Sequence, residues 1–475
     1  MNRKKSLAKN TLIIFIGTLC TKLLSFLLLP LYTNVLTTAE YGIVDLLTTL
    51  IALFSPILSL QISQGLFKSL VESRDNLNKQ KKLITTSLAF ILFNSIIFIL
   101  LFAAINPLIK SEYKWLLAIN VLASVYSDLL LQISRGLGDN NCYSISGVIT
   151  ALITILFNIL FLVFLHYKVD GMLYGTLLGY IAGILFVVVK MKLYQYIEIG
   201  NISTKEFKPL IKYSLPLVPN ALSWWIFSMS DRVIVAIVLG LSLTGILSVS
   251  YKFSNIIILL YNIFDKSWCE NIILHIKDSD IVDYFNQTFK QILSLFLSFG
   301  MCVISFMPIL FKILVNDSFI DAYDLIPIAV VASLFQVVVG LVSVVYAANN
   351  NTKSLATTAV WSAIINIVVH ILLIKSIGVY AAVVSTLVSY AFFAIYRVKD
   401  VSKKYIKISL DKKFIIYTLI VLITVLITYY AEAIYIKCIG MIIAVIYSLI
   451  TNKNTLLALN NVIYNKVKKR GLHNE

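Results

Sequence analysis

The chain has 475 residues, 59% hydrophobic and 13% charged, with a formal net charge of +17. Soluble domains carry about 25% charged residues, so this composition excludes a soluble globular protein and requires a membrane-embedded one. The basic charge does not imply nucleic acid as a partner, because Lys and Arg lie in short segments between long apolar runs and form no contiguous patch with interleaved aromatics.

The apolar runs predict fourteen membrane spans, at 11–36, 41–67, 83–105, 113–134, 142–165, 171–191, 211–239, 243–265, 285–309, 323–347, 354–374, 378–396, 414–430 and 434–450. The basic N-terminus "MNRKKSLAKN" precedes a run too long for a signal-peptide h-region and lacking a small-residue cleavage site, so an uncleaved first span is expected. With that end inside, inner segments hold 31 Lys and Arg, outer segments 6, and the spans only Lys22, Arg232 and Lys252. The asymmetry predicts that both termini are cytoplasmic.

The expected organisation is an N-lobe at 1–191 (spans 1–6), a cytoplasmic linker at 192–210 and a C-lobe at 211–398 (spans 7–12). Spans 13 and 14 follow within 399–450, then a basic cytoplasmic tail at 451–475. The inner segment 266–284, with Asp278, Asp280 and Asp283, is expected to form an interfacial helix. "LTTAEYGI" (Leu36–Ile43) before span 2 and "LSLTGI" (Leu241–Ile246) before span 8 are similar outer turns. They suggest two six-helix lobes of an all-α polytopic protein, related by a pseudo-two-fold axis along the membrane normal.

Ionisable residues inside spans face a water-filled cavity or a partner, because exposure to lipid is costly. Thr18, Lys22 and Ser25 share a face of span 1. On span 2, Asp45, Thr49, Ser59 and Ser63 fall on one face, and span 4 brings Ser124, Asp128 and Arg135. Span 7 carries Asn220, Trp224 and Trp225, then "SMSDRV" with Ser228, Asp231 and Arg232. Span 8 has the longest stripe: Ser248, Lys252, Asn255, Leu259, Asn262 and Lys266. Lys68, Arg135 and Lys266 read as inner-interface cations whose stems snorkel. Asp231 and Arg232 read either as cavity groups or as half of a structural ion-pair network. Lys22, Lys252 and Arg232 together suit an anionic ligand, for which phosphate is the obvious candidate.

The five cysteines are scattered, without a Cys-x-x-Cys pair, so neither a disulfide frame nor a metal site is expected. His370, four residues after Asn366, reads as a local polar contact. No cofactor is expected. No Gly-rich ATPase loop exists in the sequence, which leaves an ion gradient or the membrane potential as the energy source. Asp45, Asp128 and Asp231 are the candidates to carry H+ or Na+.

Three stretches carry a resemblance: "GTLCTKLLSFLLLPLYTNVLTTAEYGIVDLLTTL" (Gly17–Leu50), "SRGLGDNNCYSISGVI" (Ser134–Ile149) and "KYSLPLVPNALSWWIFSMSDRVIV" (Lys212–Val235). They resemble bacterial polysaccharide-unit flippases of the Wzx type, within the multidrug/oligosaccharidyl-lipid/polysaccharide exporter superfamily. The resemblance implies a carrier rather than an enzyme, sited in the bacterial cytoplasmic membrane and working by alternating access. Its substrate would be an undecaprenyl-pyrophosphate-linked oligosaccharide for capsule, O-antigen or exopolysaccharide synthesis. Its partners would be membrane lipids and other membrane proteins of polysaccharide assembly. On that resemblance Lys22, Lys252 and Arg232 would meet the pyrophosphate. Thr18, Ser25, Asn220, Trp224, Trp225, Ser228, Asn255 and Asn262 would line the sugar cavity. A lipid II flippase and a cation-coupled multidrug antiporter are the alternatives within the superfamily. The deep cations weigh against the antiporter, and the short outer loops against a polymerase or ligase.

Overall fold

The computed structural model describes residues 26–108, 110–349, 351–453 and 457, and every regular element among them is helical. Twelve of these helices are long and apolar enough to cross a membrane, or thirteen when one bent pair is counted as a span. Each of expected spans 2 to 14 meets a described helix, whereas most of span 1, including Thr18, Lys22 and Ser25, lies outside the described residues.

The chain forms two compact units, 1–248 and 249–475. The division falls inside a helix rather than at the 192–210 segment, and that segment is docked along its length. Thr85 Oγ1 donates to Tyr196 O at 3.1 Å, Ser203 N donates to Thr86 Oγ1 at 3.0 Å, and Lys81 pairs with Glu198.

In the first unit, α1 (Leu29–Val35) has Pro30 in its first turn, where a missing N–H costs nothing. The next helix, α2 (Thr38–Ser59), starts on a capping box: Thr37 Oγ1 accepts from Glu40 N, and the Glu40 carboxylate accepts from Thr37 N at 2.9 Å. Expected span 2 does not continue as one helix. Leu60 and Gln61 both adopt positive φ, 45° and 56°, before α3 (Ile62–Glu72) begins. Pro56, one turn earlier, lacks the N–H that would hold this stretch to the preceding turn.

Four long helices follow: α4 (Leu77–Ile105), α5 (Lys114–Gly136), α6 (Asn140–Ile159) and α7 (Lys168–Lys190). Asn76 caps α4 and Asp139 caps α6. Gly171, Gly175, Gly179 and Gly183 recur every fourth residue along α7, and side chains placed there would strike α6 or, at Gly171, the turn that extends it. This small-residue stripe lets two backbones approach where lipid provides no hydrophobic drive to associate. The amphipathic α8 (Thr204–Ser214) packs on α3 and α4 and leads into α9 (Leu217–Val238). Segments Thr204–Ile226 and Ser228–Val238 are bent by 56°.

The second unit begins within α10 (Leu241–His275), which runs for 35 residues. The 266–284 segment is therefore not an interfacial helix. It is the end of α10, a turn at 276–280 and the start of α11 (Ile281–Leu314). Asp283 favours that start as an acid in the first turn, and His275 and Asp278 pair across the turn at 2.6 Å. At the centre lies α12 (Ala322–Ala348), with Leu325, Val330, Val337, Leu341 and Val345 fully buried, flanked by α13 (Thr352–Ile377) and α14 (Tyr380–Lys404). The last two spans, α15 (Lys412–Tyr430) and α16 (Ile434–Thr451), dock on α11. Tyr429 stacks on Tyr323 at 4.3 Å, and Asn452 Nδ2 donates to Ser298 Oγ at 2.8 Å.

Candidate functional site

The two turns that look alike in sequence, Leu36–Ile43 and Leu241–Ile246, meet each other in the first unit. A side chain at Gly42 would overlap the carbonyl of Leu241, and one at Gly245 would overlap the carbonyl of Thr38. Only glycine on both sides permits this reciprocal approach of backbones. Thr38 Oγ1 and Ser242 Oγ close the contact at 2.7 Å. Lys168 ties the same turn to α7 through Glu40 at 2.6 Å.

One turn deeper, the ionisable residues of three helices converge. Arg232 Nε on α9 stands 2.6 Å from Asp45 Oδ2 on α2, with side chains only 12% and 19% exposed. Ser248 Oγ on α10 reaches the same Oδ2 at 2.5 Å. Arg232 Nη1 also donates to Ser228 O at 3.2 Å. Farther along α2, Trp225 Nε1 donates to Thr49 O at 2.8 Å. Buried charges require such pairing, since leaving either one alone in a low-dielectric setting costs several kcal/mol. Arg232 is thus half of an ion pair with Asp45 on another helix, and its neighbour Asp231 is buried.

The remaining predicted residues fall elsewhere. Lys252 is half-buried one helical turn after Ser248 on α10, and Asn255 and Asn262 are exposed farther along that helix. Asn220 and Ser228 are exposed, and Trp224 is 60% exposed, while Trp225 is committed to the α2 backbone.

Asp128 occupies a second polar seam, between α5 and the broken α2–α3 span. Ser63 Oγ donates to its Oδ2 at 2.5 Å, Gln132 Nε2 faces its Oδ1 at 3.4 Å, and Ser55 and Ser124 meet at 3.2 Å. The freed carbonyl of Leu58 accepts from Asn94 Nδ2 at 3.0 Å. Gln132 escaped the sequence reading although its spacing with Ser124 and Asp128, four residues each, marks one helical face. Arg397, counted there as an inner topology cation, is 4% exposed within the second unit. Among the described residues no three His, Cys, Asp or Glu side chains converge on a common point.

A profile of the family described as "Polysaccharide biosynthesis protein" matches residues 7–267. No curated protein matches the sequence. Among solved structures, an inward-facing multidrug resistance MATE family transporter of the MOP superfamily is similar at TM-score 0.68 and 13% identity, over 80% of this chain and 95% of that one. The lipid II flippase MurJ, in an inward closed conformation, is similar at TM-score 0.67 and 17% identity, over 94% of this chain and 99% of that one.

Proposed function

The chain belongs to the polysaccharide biosynthesis protein family, and we propose that it is a flippase for a lipid-linked oligosaccharide in the bacterial cytoplasmic membrane. The substrate is an undecaprenyl-pyrophosphate-linked unit, carried from the cytoplasmic to the outer leaflet by alternating access, with both chain termini in the cytoplasm. An H+ or Na+ gradient supplies the energy. The observation that carries the reading is the polar face of α10, with Lys252 half-buried and Asn255 and Asn262 exposed on a helix that crosses the membrane. Such a row turned to lipid would be costly, so it fits an aqueous path. A lysine along that path suits a moving phosphate, because an ammonium needs no fixed bidentate geometry.

The Asp45–Arg232 pair of the first unit responds to substrate. An arriving pyrophosphate offers Arg232 a dianionic partner in place of Asp45, and a bidentate guanidinium–phosphate contact competes well with a single carboxylate contact. Once Arg232 changes partner, the contact between α2 and α9 loses its buried charge pair. Lys22 contributes a further cation to the same anion.

The test is movement of labelled undecaprenyl-pyrophosphate oligosaccharide across proteoliposome membranes. The wild type moves the lipid, and Lys252→Ala, with folding intact, abolishes the movement. Wild-type movement that survives Lys252→Ala, Lys22→Ala and Arg232→Ala would remove the pyrophosphate from these residues. No movement by the wild type under an imposed proton or sodium gradient would favour the multidrug antiporter.

A further inference from the structure

The amphipathic α8 turns one face to the protein and the other away from it. Leu210 and Ser214 are fully buried, and a side chain at Gly65 of α3 would strike Ser214 Oγ and crowd the Leu210 carbonyl. Phe207 meets Phe90 of α4 at 5.1 Å between ring centroids. Phe90 stands about 10 Å inside the start of the expected third span at residue 83, so α8 is docked beside the end of a membrane span. Its opposite face carries Lys205, Lys208 and Lys212, all exposed. They lie within about 60° of one another around the helix and over about 10 Å of its length. Lys68 of α3 adds a fourth cation, its Nζ 4.4 Å from the Tyr213 ring centroid and 3.9 Å from the exposed Glu72. None of the ion pairs among the described residues involves Lys205, Lys208 or Lys212. The one acid of α8, Glu206, lies about 100° round the helix from Lys205.

We propose that the exposed face of α8 is a docking surface for the headgroups of anionic phospholipids at the membrane boundary. Ammonium groups without acids among them attract a negatively charged lipid surface, each adding to the attraction. Being flexible point charges, they hold phosphodiesters that exchange without needing one fixed geometry. Tyr213 and Leu215, 43% and 49% exposed, stand beside the lysines. An amphipathic ring and an aliphatic group suit the boundary between headgroup and acyl chain better than open water, which favours a lipid over a soluble phosphate. The lysines are strung along the helix rather than converging on one point. That spacing fits several monoanionic headgroups side by side and not a single pyrophosphate. Segment Thr204–Ile226 carries α8 on into α9, so bound headgroups hold the end of the helix that bears Arg232 at the membrane boundary. On the orientation proposed above that boundary belongs to the inner leaflet, but the binding does not depend on the flippase reading.

The experiment is equilibrium binding of phosphatidylglycerol with a fluorescent acyl chain to the purified full-length protein in a neutral detergent. The wild type binds it saturably, and binds phosphatidylcholine with the same chain far more weakly. Lys205→Gln, Lys208→Gln and Lys212→Gln combined weaken binding of the anionic lipid by about tenfold or more. Lys205→Arg, Lys208→Arg and Lys212→Arg combined retain it, which separates the loss of charge from any disturbance of folding. Lys399→Gln, Lys403→Gln and Lys407→Gln remove three exposed lysines from the second unit and leave binding unchanged. Equal weakening by the two glutamine triplets would assign the effect to net charge and overturn the surface, as would equal binding of the two lipids by the wild type. Displacement of phosphatidylglycerol by an equimolar polyprenyl pyrophosphate would give the face to the carrier lipid, and displacement by inorganic phosphate would give it to a soluble anion. Either result overturns the phospholipid as its occupant.

Discussion

Asp128 in the first unit and Arg397 in the second are both charges set inside spans without an opposite charge within ion-pair distance among the described residues, and they are treated in opposite ways. Arg397 has four of its five N–H donors engaged. Its Nε donates to Thr358 Oγ1 at 3.1 Å, and Nη2 donates to the same oxygen at 2.8 Å and to Leu355 O at 3.0 Å. Nη1 donates to Ser343, and the plane lies 4.1 Å from the Phe393 ring centroid. Neutral oxygens from α12 and α13 thus enclose a cation from α14, and four of the contacts a guanidinium can make are filled. Asp128 has two neutral donors and, beside it, an acceptor with nothing to accept. A buried charge whose contacts are nearly complete serves as a tie between helices. Asp128, half-buried and held by two donors, is tied more loosely.

The largest expected effect breaks that contrast by removing the more fully bonded charge. Arg397→Ala strips contacts from three helices at once and leaves buried oxygens without donors. Loss of one side of such a network costs about 3–5 kcal/mol, so the thermal unfolding midpoint in detergent falls sharply. Arg397→Lys recovers only part, because one ammonium cannot reach both Ser343 on α12 and Leu355 O on α13. Asp128→Asn should change stability by no more than about 1 kcal/mol, since an amide oxygen still accepts from Ser63. Equal losses for the two variants would erase the distinction between a tight tie and a loose one.

The Asp45–Arg232 pair should fall between these extremes. Asp45→Ala leaves Arg232 without this carboxylate and removes one of the two acceptors of Ser248, costing up to about 3 kcal/mol. Asp45→Ala with Arg232→Ala restores part of that stability, and a double-mutant cycle on the unfolding midpoints measures the coupling. Simple additivity would show that the pair contributes nothing beyond its separate side chains. Gly42→Ala tests the neighbouring backbone contact. The added methyl meets backbone rather than a movable side chain, so overpacking costs about 1–3 kcal/mol. It should also slow disulfide formation between Thr38→Cys and Ser242→Cys, whose parent hydroxyls lie 2.7 Å apart.

Most of the fold is legible in the sequence because span length and charge asymmetry are strong, local signals. So are the caps: Asn76, Asp139, Asn351 and Asp411 each stand one residue before a helix and accept from a backbone N–H in its first turn. The stripe on span 8 survives as a continuous helix. The glycine repeat of α7 was equally readable from its spacing. The break at Leu60–Gln61 was not, because neither residue favours positive φ and Pro56 lies a turn away. Arg397 looked like any cation at an inner span end, since a count of charges carries no direction. Pairing of Asp45 with Arg232 depends on which helices neighbour one another, and no periodicity within a single span encodes that.

The smallest expected effect sharpens the reading of the break itself. Leu60 and Gln61 hold positive φ without being glycine, at a cost of roughly 1–2 kcal/mol per residue. Gln61→Gly relieves that strain but adds back roughly 0.5–1 kcal/mol of chain entropy in the unfolded state. The net change is a gain of about 0.5 kcal/mol, a slight rise in the unfolding midpoint. Gln61→Val, whose branched side chain tolerates positive φ least, should move the midpoint the other way. Opposite signs at one position would establish that the turn is imposed on these residues by the seam it serves. Two unchanged midpoints would show instead that the span straightens at no cost, and Ser63 would then lose its fixed approach to Asp128.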